Sequence, residues 1–529
     1  MPRKVAIVAG VFLFATTAVA ADPGSSTGAT YYVSSSSGDD AASGTSKGAP
    51  WKTLKRVEDA ELGPGDRVLF KGGERFSGTL RLSKVLGAAG ARVMLSSYGG
   101  GRATIDGGTG SGLILESCEY VTVKDLRFVG SGRKRGNDGY GIRLERGAHN
   151  EIDLVDASGF RLAGISTGGD ESTRITNAHV HDNGFAGISV QGATGDLPFT
   201  RNLYIGHSVA ENNPGDPKNT TNHSGNGIVV GGLKGGLIEY CEATGNGWDM
   251  PREGNGPVGI WGYFCDRLVI QHCISHHNKT SKGGHDGGGF DLDGGATNSI
   301  LQYNLSYANH GTGYLLCQYP GARPWKDNIC RYNISIDDGR TNHFSGIHFW
   351  AGGDDISDAL VYNNLIVNGR HAVRSTHDIP GLVFRNNVLV SDDAVVFGPL
   401  HQARFEGNLY LPRQDTALVR TPERLFHSLE EWAEATGEET IGDRLVGLVG
   451  DPRIVWPLDL RDLPTDPAAL REMMYYKLIA DSPGVGAALA IEDDGGRDLW
   501  GNPLHPGGPR NVGPFEGARE RPVPAGRNR

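Results

Sequence analysis

The sequence predicts an all-β fold: a right-handed parallel β-helix solenoid with an N-terminal capping helix and an irregular C-terminal cap. Three observations predict it. Glycine supplies 80 of the 529 residues, about twice its usual ~7% share. A helix interior loses about 1 kcal/mol for each glycine against alanine, so a mainly helical protein is excluded. Next, a short signal recurs: glycine, an apolar residue, any residue, then an apolar or small one. It stands at Gly141-Ile142-Arg143-Leu144, Gly164-Ile165-Ser166-Thr167, Gly187-Ile188-Ser189-Val190 and Gly227-Ile228-Val229-Val230. It returns at Gly259-Ile260-Trp261-Gly262, Gly289-Phe290-Asp291-Leu292, Gly313-Tyr314-Leu315-Leu316 and Gly346-Ile347-His348-Phe349. The steps are 23, 23, 40, 32, 30, 24 and 33 residues. Third, an asparagine column runs between these strands: Asn304, Asn333, Asn364, Asn387 and Asn408, with Cys241 and Cys273 in the equivalent earlier places. Inward asparagines stacked coil on coil satisfy one another's buried polar groups. Asn304 and Asn333 also fit the Asn-x-Ser glycosylation pattern, but the column continues through three asparagines that do not. Period-two strands, a repeat near 23 and an asparagine ladder together specify stacked β-coils. Leucine-rich repeats are excluded because no LxxLxL run recurs.

The elements follow in chain order. Arg3 and Lys4 precede the apolar run from Val5 to Phe14, and Ala18-Val19-Ala20 supplies a small-residue cleavage pattern. Residues 1–20 therefore read as a signal peptide, and the run is too short for a membrane anchor. The mature protein is expected to be secreted or periplasmic, with no membrane contact. Trp51, Leu54, Val57 and Leu62 lie near helical spacing and plug the N-terminal end. Strands at 67–70, 79–82 and 93–96 begin the coils. The solenoid with its groove is expected over residues 21–411. A short helix over 425–435 and a Pro-rich tail make residues 412–529 a cap folded back on it. The net charge of −10, without a Lys/Arg stripe, excludes nucleic acid as a partner. A monomer acting on a polysaccharide is expected. Six cysteines and no CxxC pair exclude a thiolate zinc site. Cys265 and Cys317 read as outward residues two coils apart. That is ~9–10 Å along the axis, too far for a disulfide.

The two ends carry a resemblance. Tyr31-Tyr32-Val33-Ser34, Gly38-Asp39-Asp40 and Pro50-Trp51-Lys52-Thr53-Leu54 open the chain; Asp481-Ser482-Pro483-Gly484, Gly501-Asn502-Pro503 and Asn511-Val512-Gly513-Pro514-Phe515-Glu516 close it. In these segments the chain resembles exported polysaccharide-active β-helix proteins of the pectate-lyase-like superfamily. The resemblance implies the fold and export, and leaves the reaction open.

Alternation locates the site. If Ile142 and its equivalents point inward, two outward columns result. One holds Arg143, Ser166, Ser189, Val229, Trp261, Asp291, Leu315 and His348. The other holds Glu145, Gly168, Gln191, Gly231, Tyr263, Asp293, Cys317 and Trp350. Aromatic and ionisable groups concentrate between residues 261 and 350. The insertions at 212–225, 245–256, 277–288 and 337–345 each precede a strand of this series, so they wall a groove over it. Trp261, Tyr263 and Trp350 read as sugar platforms, joined by Lys282 and Arg323 as substrate-binding cations. Asp291 and Asp293, two residues apart on one strand, read as acid and base of a glycoside hydrolase. His348 is their third catalytic candidate.

No cofactor is required for that chemistry. Calcium is the alternative: Asp286, Asp291 and Asp293 are hard oxygen ligands. Gly287-Gly288-Gly289-Phe290-Asp291-Leu292 is similar in part to a pectate-lyase calcium motif, with glycines where that motif has acids. That family's catalytic lysine position holds Leu315. Polygalacturonases, a related β-helix class, use clustered aspartates instead. A calcium-dependent lyase, with its base and cation drawn from Lys279, Lys282, Arg323, Lys326 or His348, is the second reading. A non-catalytic glycan-binding or adhesin solenoid is the third.

Overall fold

The computed structural model describes residues 28–353, 355–414, 416–504 and 507–517. The expected signal peptide lies outside the described residues. From Thr30–Val33 onward the chain winds into a parallel β-helix with three faces. One face runs from Leu80–Ser83 through Ile142–Glu145, Ala186–Gln191 and Gly288–Leu292 to Val396–Phe397. A second runs from Thr30–Val33 through Glu151–Asp153 and Ile300–Gln302 to Arg404–Glu406. The third stacks Arg75–Ser77 through Ile274–His276 to Leu409–Pro412, and Leu448–Val449 adds to its end. Two long strands, Asn226–Glu239 and Val258–Gln271, cover the first and second faces without a break. Their corners are made where backbone dihedrals turn positive, at Gly232 (φ 65°) and Phe264 (φ 51°).

The first face keeps the register that alternation predicts. Ile228 pairs with Ile260, Ile260 with Phe290, Phe290 with Tyr314, Tyr314 with Ile347 and Ile347 with Val373. All six side chains are buried in one continuous apolar bore. The Phe290 and Tyr314 rings stack at 5.3 Å, 6° from parallel. The Tyr314 hydroxyl is satisfied inside the bore by the carbonyls of Asn304 and Ile334 (3.0 and 3.1 Å).

Hydrogen bonds along the axis hold the turns. In the predicted column the Cys241 N–H points at Cys273 Sγ, and the Cys273 N–H donates to Asn304 Oδ1. Asn333, Asn364, Asn387 and Asn408 continue it after Asn304, each Oδ1 accepting from the backbone and side chain of the asparagine one coil before. Buried Glu439 ends the ladder, accepting from Asn408 Nδ2 and the Tyr410 hydroxyl. A second ladder, which the sequence reading missed, joins the third face to the first: Asn183, Asn213, Asn246, Asn278, Asn309 and Asp338. Its last member is a carboxyl, pushed by burial up to about 7.

The N-terminal plug is a single helical turn, Leu54–Glu58, capped by the Thr53 hydroxyl and burying Leu54 and Val57. Trp51 lies between the Tyr31 ring at 4.4 Å and the Arg56 guanidinium at 4.2 Å. At the far end the helix is Leu429–Thr436, shorter than expected. Leu425–Phe426 pairs as a strand with Val419–Arg420, and Ser428 caps the helix that follows. The tail returns along the solenoid, covering a second apolar cluster that includes Tyr303, Tyr332, Leu470, Trp500 and Phe515. Its carbonyls at Arg497, Asp493 and Asn511 accept from Tyr303, Arg331 and Asn363.

All six cysteines are free thiols and buried. Cys265 corrects the sequence reading: it points into the bore, because the corner at Phe264 inverts the alternation of the first face before the chain enters the second.

The ladder generates a stability test. Asn333 Oδ1 accepts from Asn304, while Asn333 Nδ2 donates to the Leu301 carbonyl and to Asn364 Oδ1. Asn333→Ala strands several buried groups at about 1–3 kcal/mol each, so we expect a loss of about 2–4 kcal/mol. Denaturant and thermal midpoints measure it, with Glu434→Ala, exposed on the C-terminal helix, as the neutral comparison.

Candidate active site

The register places the predicted residues in one patch. Trp261 pairs with Asp291, Asp291 with Leu315 and Leu315 with His348; Cys317 pairs with Trp350. The next residue of the first column, absent from the sequence reading, is Arg374 beside His348. The insertions do lie over these columns, but they close onto them instead of flanking an open floor. Asp291 is 3% exposed, His348 2% and Trp261 4%. Trp261 therefore is not an open platform. Its indole N–H donates to Asn226 Oδ1 (3.0 Å), and His223 packs edge-on against it at 4.8 Å. Together with Val229 and Val258 it forms a small apolar cluster outside the bore.

Three carboxyl groups converge beneath the loops. One oxygen of Asp291, one of Asp293 and Cys317 Sγ all lie within 4.8 Å of one another. The Cys317 thiol donates to Asp293 Oδ1 at 2.9 Å and stands 3.7 Å from Asp291 Oδ1. Asp286, from the loop before the strand, accepts from the Gly256 N–H at 2.7 Å and faces His343 Nε2 at 3.5 Å. Burial first, then the charges of Asp293 and Asp286, push Asp291 well above the usual carboxylate range. Burial pushes Asp293 up to about 6, opposed by the thiol and the Gly294 N–H. Asp286 is also raised by burial, with His343 pulling the other way. Burial and the two nearby aspartates hold the Cys317 thiol in its neutral form. His343 stacks on His348 at 4.7 Å, and burial keeps both below the usual imidazole range. Their Nδ1 atoms are buried without a hydrogen-bond partner among the described residues.

An aromatic rim surrounds this floor. Tyr263 is half-buried, while Tyr319 and Trp350 are exposed. Tyr319 was missed in the sequence; its signal was its place two residues past Cys317, on the same side of the alternation. Two glycines seat the rim. A Cβ on Gly231 would lie 2.2 Å from Tyr263 Cζ, and one on Gly294 2.5 Å from Tyr319 Cε1. Lys282 is exposed on the covering loop. Arg323 stacks on Phe264 at 3.8 Å and is not paired with any of the three aspartates.

Calcium does not fit this donor set. The ion takes six to eight oxygen ligands. Here a thiol sits among the aspartates, and the remaining neighbour is an imidazole.

Comparison with known proteins bears on the fold and the family. A lacto-N-biosidase of Bifidobacterium longum is 24% identical over 480 residues, covering 66% of this chain and 29% of that protein. The chain thus spans under a third of that relative's length. The GH136 lacto-N-biosidase structure from Eubacterium ramulus is 19% identical, with a TM-score of 0.48 over 67% of this chain and 65% of that one. Pectate lyase Pel9A is 16% identical, with a TM-score of 0.44 over 93% of this chain and 97% of that one. A variant of the PL6 alginate lyase AlyGC, 16% identical, reaches a TM-score of 0.51 over 79% of this chain and 55% of that one, a likeness of fold. The Pel9A-like right-handed β-helix region matches residues 31–343, more than half of the 529 residues. The chain belongs to the Pel9A-like right-handed β-helix family.

Proposed function

We propose that the chain is an exported glycoside hydrolase that cleaves a glycan at the Asp291–Asp293 site. The observation that carries this reading is the convergence of those buried carboxyls beside Tyr263, Tyr319 and Trp350, under charges that separate their protonation. The relationship to a lacto-N-biosidase supports hydrolysis over elimination. No Lys or Arg pairs with Asp286, Asp291 or Asp293 among the described residues.

Asp291, held protonated, gives its proton to the leaving glycosidic oxygen as the C–O bond breaks. The Asp293 carboxylate, ionised near neutrality, takes up the anomeric carbon. Water, deprotonated by Asp291, then breaks the glycosyl ester. Oxygens within 4.8 Å favour this double displacement, because retaining pairs stand ~5–5.5 Å apart and inverting pairs ~6.5–9.5 Å. Tyr263, Tyr319 and Trp350 stack on the sugar, and Lys282 meets it from the loop. No calcium takes part.

Asp286 offers a second assignment for the acid, since its side chain is 15% exposed while Asp291 is 3% exposed. Mutation separates the two. Asp291→Asn and Asp293→Asn should each lower kcat by ~10²–10⁴ with folding intact. Full activity in Asp291→Asn with loss in Asp286→Asn would move the acid to Asp286. Trp350→Ala and Tyr263→Ala should raise KM. Trp261→Ala should instead lower stability by about 3–5 kcal/mol, as a buried residue does.

The pH profile follows from the shifts. kcat/KM should rise through about pH 6 as Asp293 ionises and fall on the alkaline side as Asp291 loses its proton, the limbs belonging to the coupled pair. Asp286→Asn removes a negative neighbour, so the alkaline limb should move to lower pH. A glycan panel decides the reaction class: new reducing ends without ultraviolet absorbance are expected, and calcium added to chelator-treated enzyme should change nothing. Absorbance from unsaturated uronates would establish elimination, and binding without cleavage an adhesin.

A further inference from the structure

The third face carries a cluster that the proposed hydrolysis does not use. His179 and His181 stand two residues apart on the strand His179–His181, with Val180 between them pointing into the bore. Both imidazoles therefore project outward, their rings 4.5 Å apart. Asp156, directly beside His179 on the preceding coil, projects with them. Asp156 Oδ2 stands 3.8 Å from His179 Nδ1 and 3.7 Å from His181 Nε2. One ligand atom from each of the three residues lies within 4.8 Å of the other two.

The opposite ring nitrogens are already engaged. His179 Nε2 is 3.2 Å from Glu211 Oε2, and His181 Nδ1 is 2.6 Å from Asp182 Oδ2. Asp182 is steadied in turn by Asn212 Nδ2 at 2.6 Å, and Asp156 Oδ1 faces Arg127 Nε at 3.5 Å. Each imidazole thus faces an outer carboxylate through one ring nitrogen and Asp156 through the other. A histidine that ligates a metal is oriented in this way, its distal N–H held by a carboxylate.

We propose that Asp156, His179 and His181 form a binding site for a divalent first-row cation of the zinc type. A tetrahedral ion with ligands at ~2.0–2.1 Å has ligand edges of ~3.3–3.4 Å. The two edges to Asp156, 3.7 and 3.8 Å, need only a small contraction, and the third, between the imidazoles, lies within 4.8 Å. Two imidazoles and one carboxylate suit zinc, copper or nickel and do not suit calcium or magnesium. Water takes the open position. The ion joins two consecutive coils directly, and a third through Glu211, on a face that holds none of the candidate catalytic residues. It acts as a clamp on the solenoid.

The test uses untagged, chelator-treated full-length protein. Zn²⁺ is titrated by calorimetry, and Co²⁺ is followed by its visible spectrum. We expect one equivalent of Zn²⁺, an intense tetrahedral Co²⁺ band and a thermal midpoint that rises with Zn²⁺. Asp156→Asn and His181→Gln should each weaken binding at least ~100-fold and abolish the rise in midpoint; Glu211→Gln should weaken it ~10–100-fold. His401→Gln, on another coil, should bind as the wild type does. Each substitution is of an outward residue, and the midpoint without metal reports folding independently. No saturable Zn²⁺ binding by the wild type would overturn the proposal, as would unchanged affinity in both Asp156→Asn and His181→Gln.

Discussion

Parallel backbone pairing between consecutive coils is the constraint on which the rest of the structure depends. Each coil repeats the register of the last at ~4.8 Å, so one residue's side of the strand is inherited along its whole column. Ile228, Ile260, Phe290, Tyr314 and Ile347 fill the bore for this reason, and Trp261, Asp291, Leu315 and His348 share the outer surface. The turns cannot share the apolar solution, because their peptide groups lie inside. Two asparagine ladders satisfy them, one ending at Glu439 and the other at Asp338.

That scaffold lets the chain bury charge where a free loop would not. Asp291, Asp293 and Cys317 are held by strands on adjacent coils, while Asp286 and His343 arrive on insertions. Burial raises all three aspartates, and their mutual repulsion raises Asp291 further. In the proposed reaction, acid and base differ by surroundings, not by residue type. The cost of crowding buried carboxyls is borne by the stacked coils.

The fold was legible because its signals are periodic. Gly-apolar strands and the column from Asn304 to Asn408 repeat often enough to show the coil. The second ladder was not seen, because its asparagines sit in turns of uneven length where asparagine is common for other reasons. The outward columns were legible from alternation alone, which brought Asp291, Asp293, His348 and Trp350 into one patch. Alternation says nothing of what covers a column, so Trp261 was read as open although His223 lies on it. It also fails at corners: Phe264 in the left-handed region reverses the side on which Cys265 falls. Tyr319 lies one alternation step past Cys317, beyond the two columns drawn, while His343 comes from an insertion without a repeat, and only three-dimensional contact connects it to Asp286.

Membership of a β-helix family leaves hydrolysis and elimination both open, so the chemistry rests on the carboxyl cluster. The most direct measurement is covalent trapping. The protein is incubated with an activated 2-deoxy-2-fluoro glycoside of the sugar it releases, then digested and mapped by mass spectrometry. A glycosyl ester on Asp293, in the peptide that also holds Asp291, is the predicted result. An ester on another residue, or an active enzyme that forms none, would contradict the assignment of Asp293 as nucleophile in a double displacement.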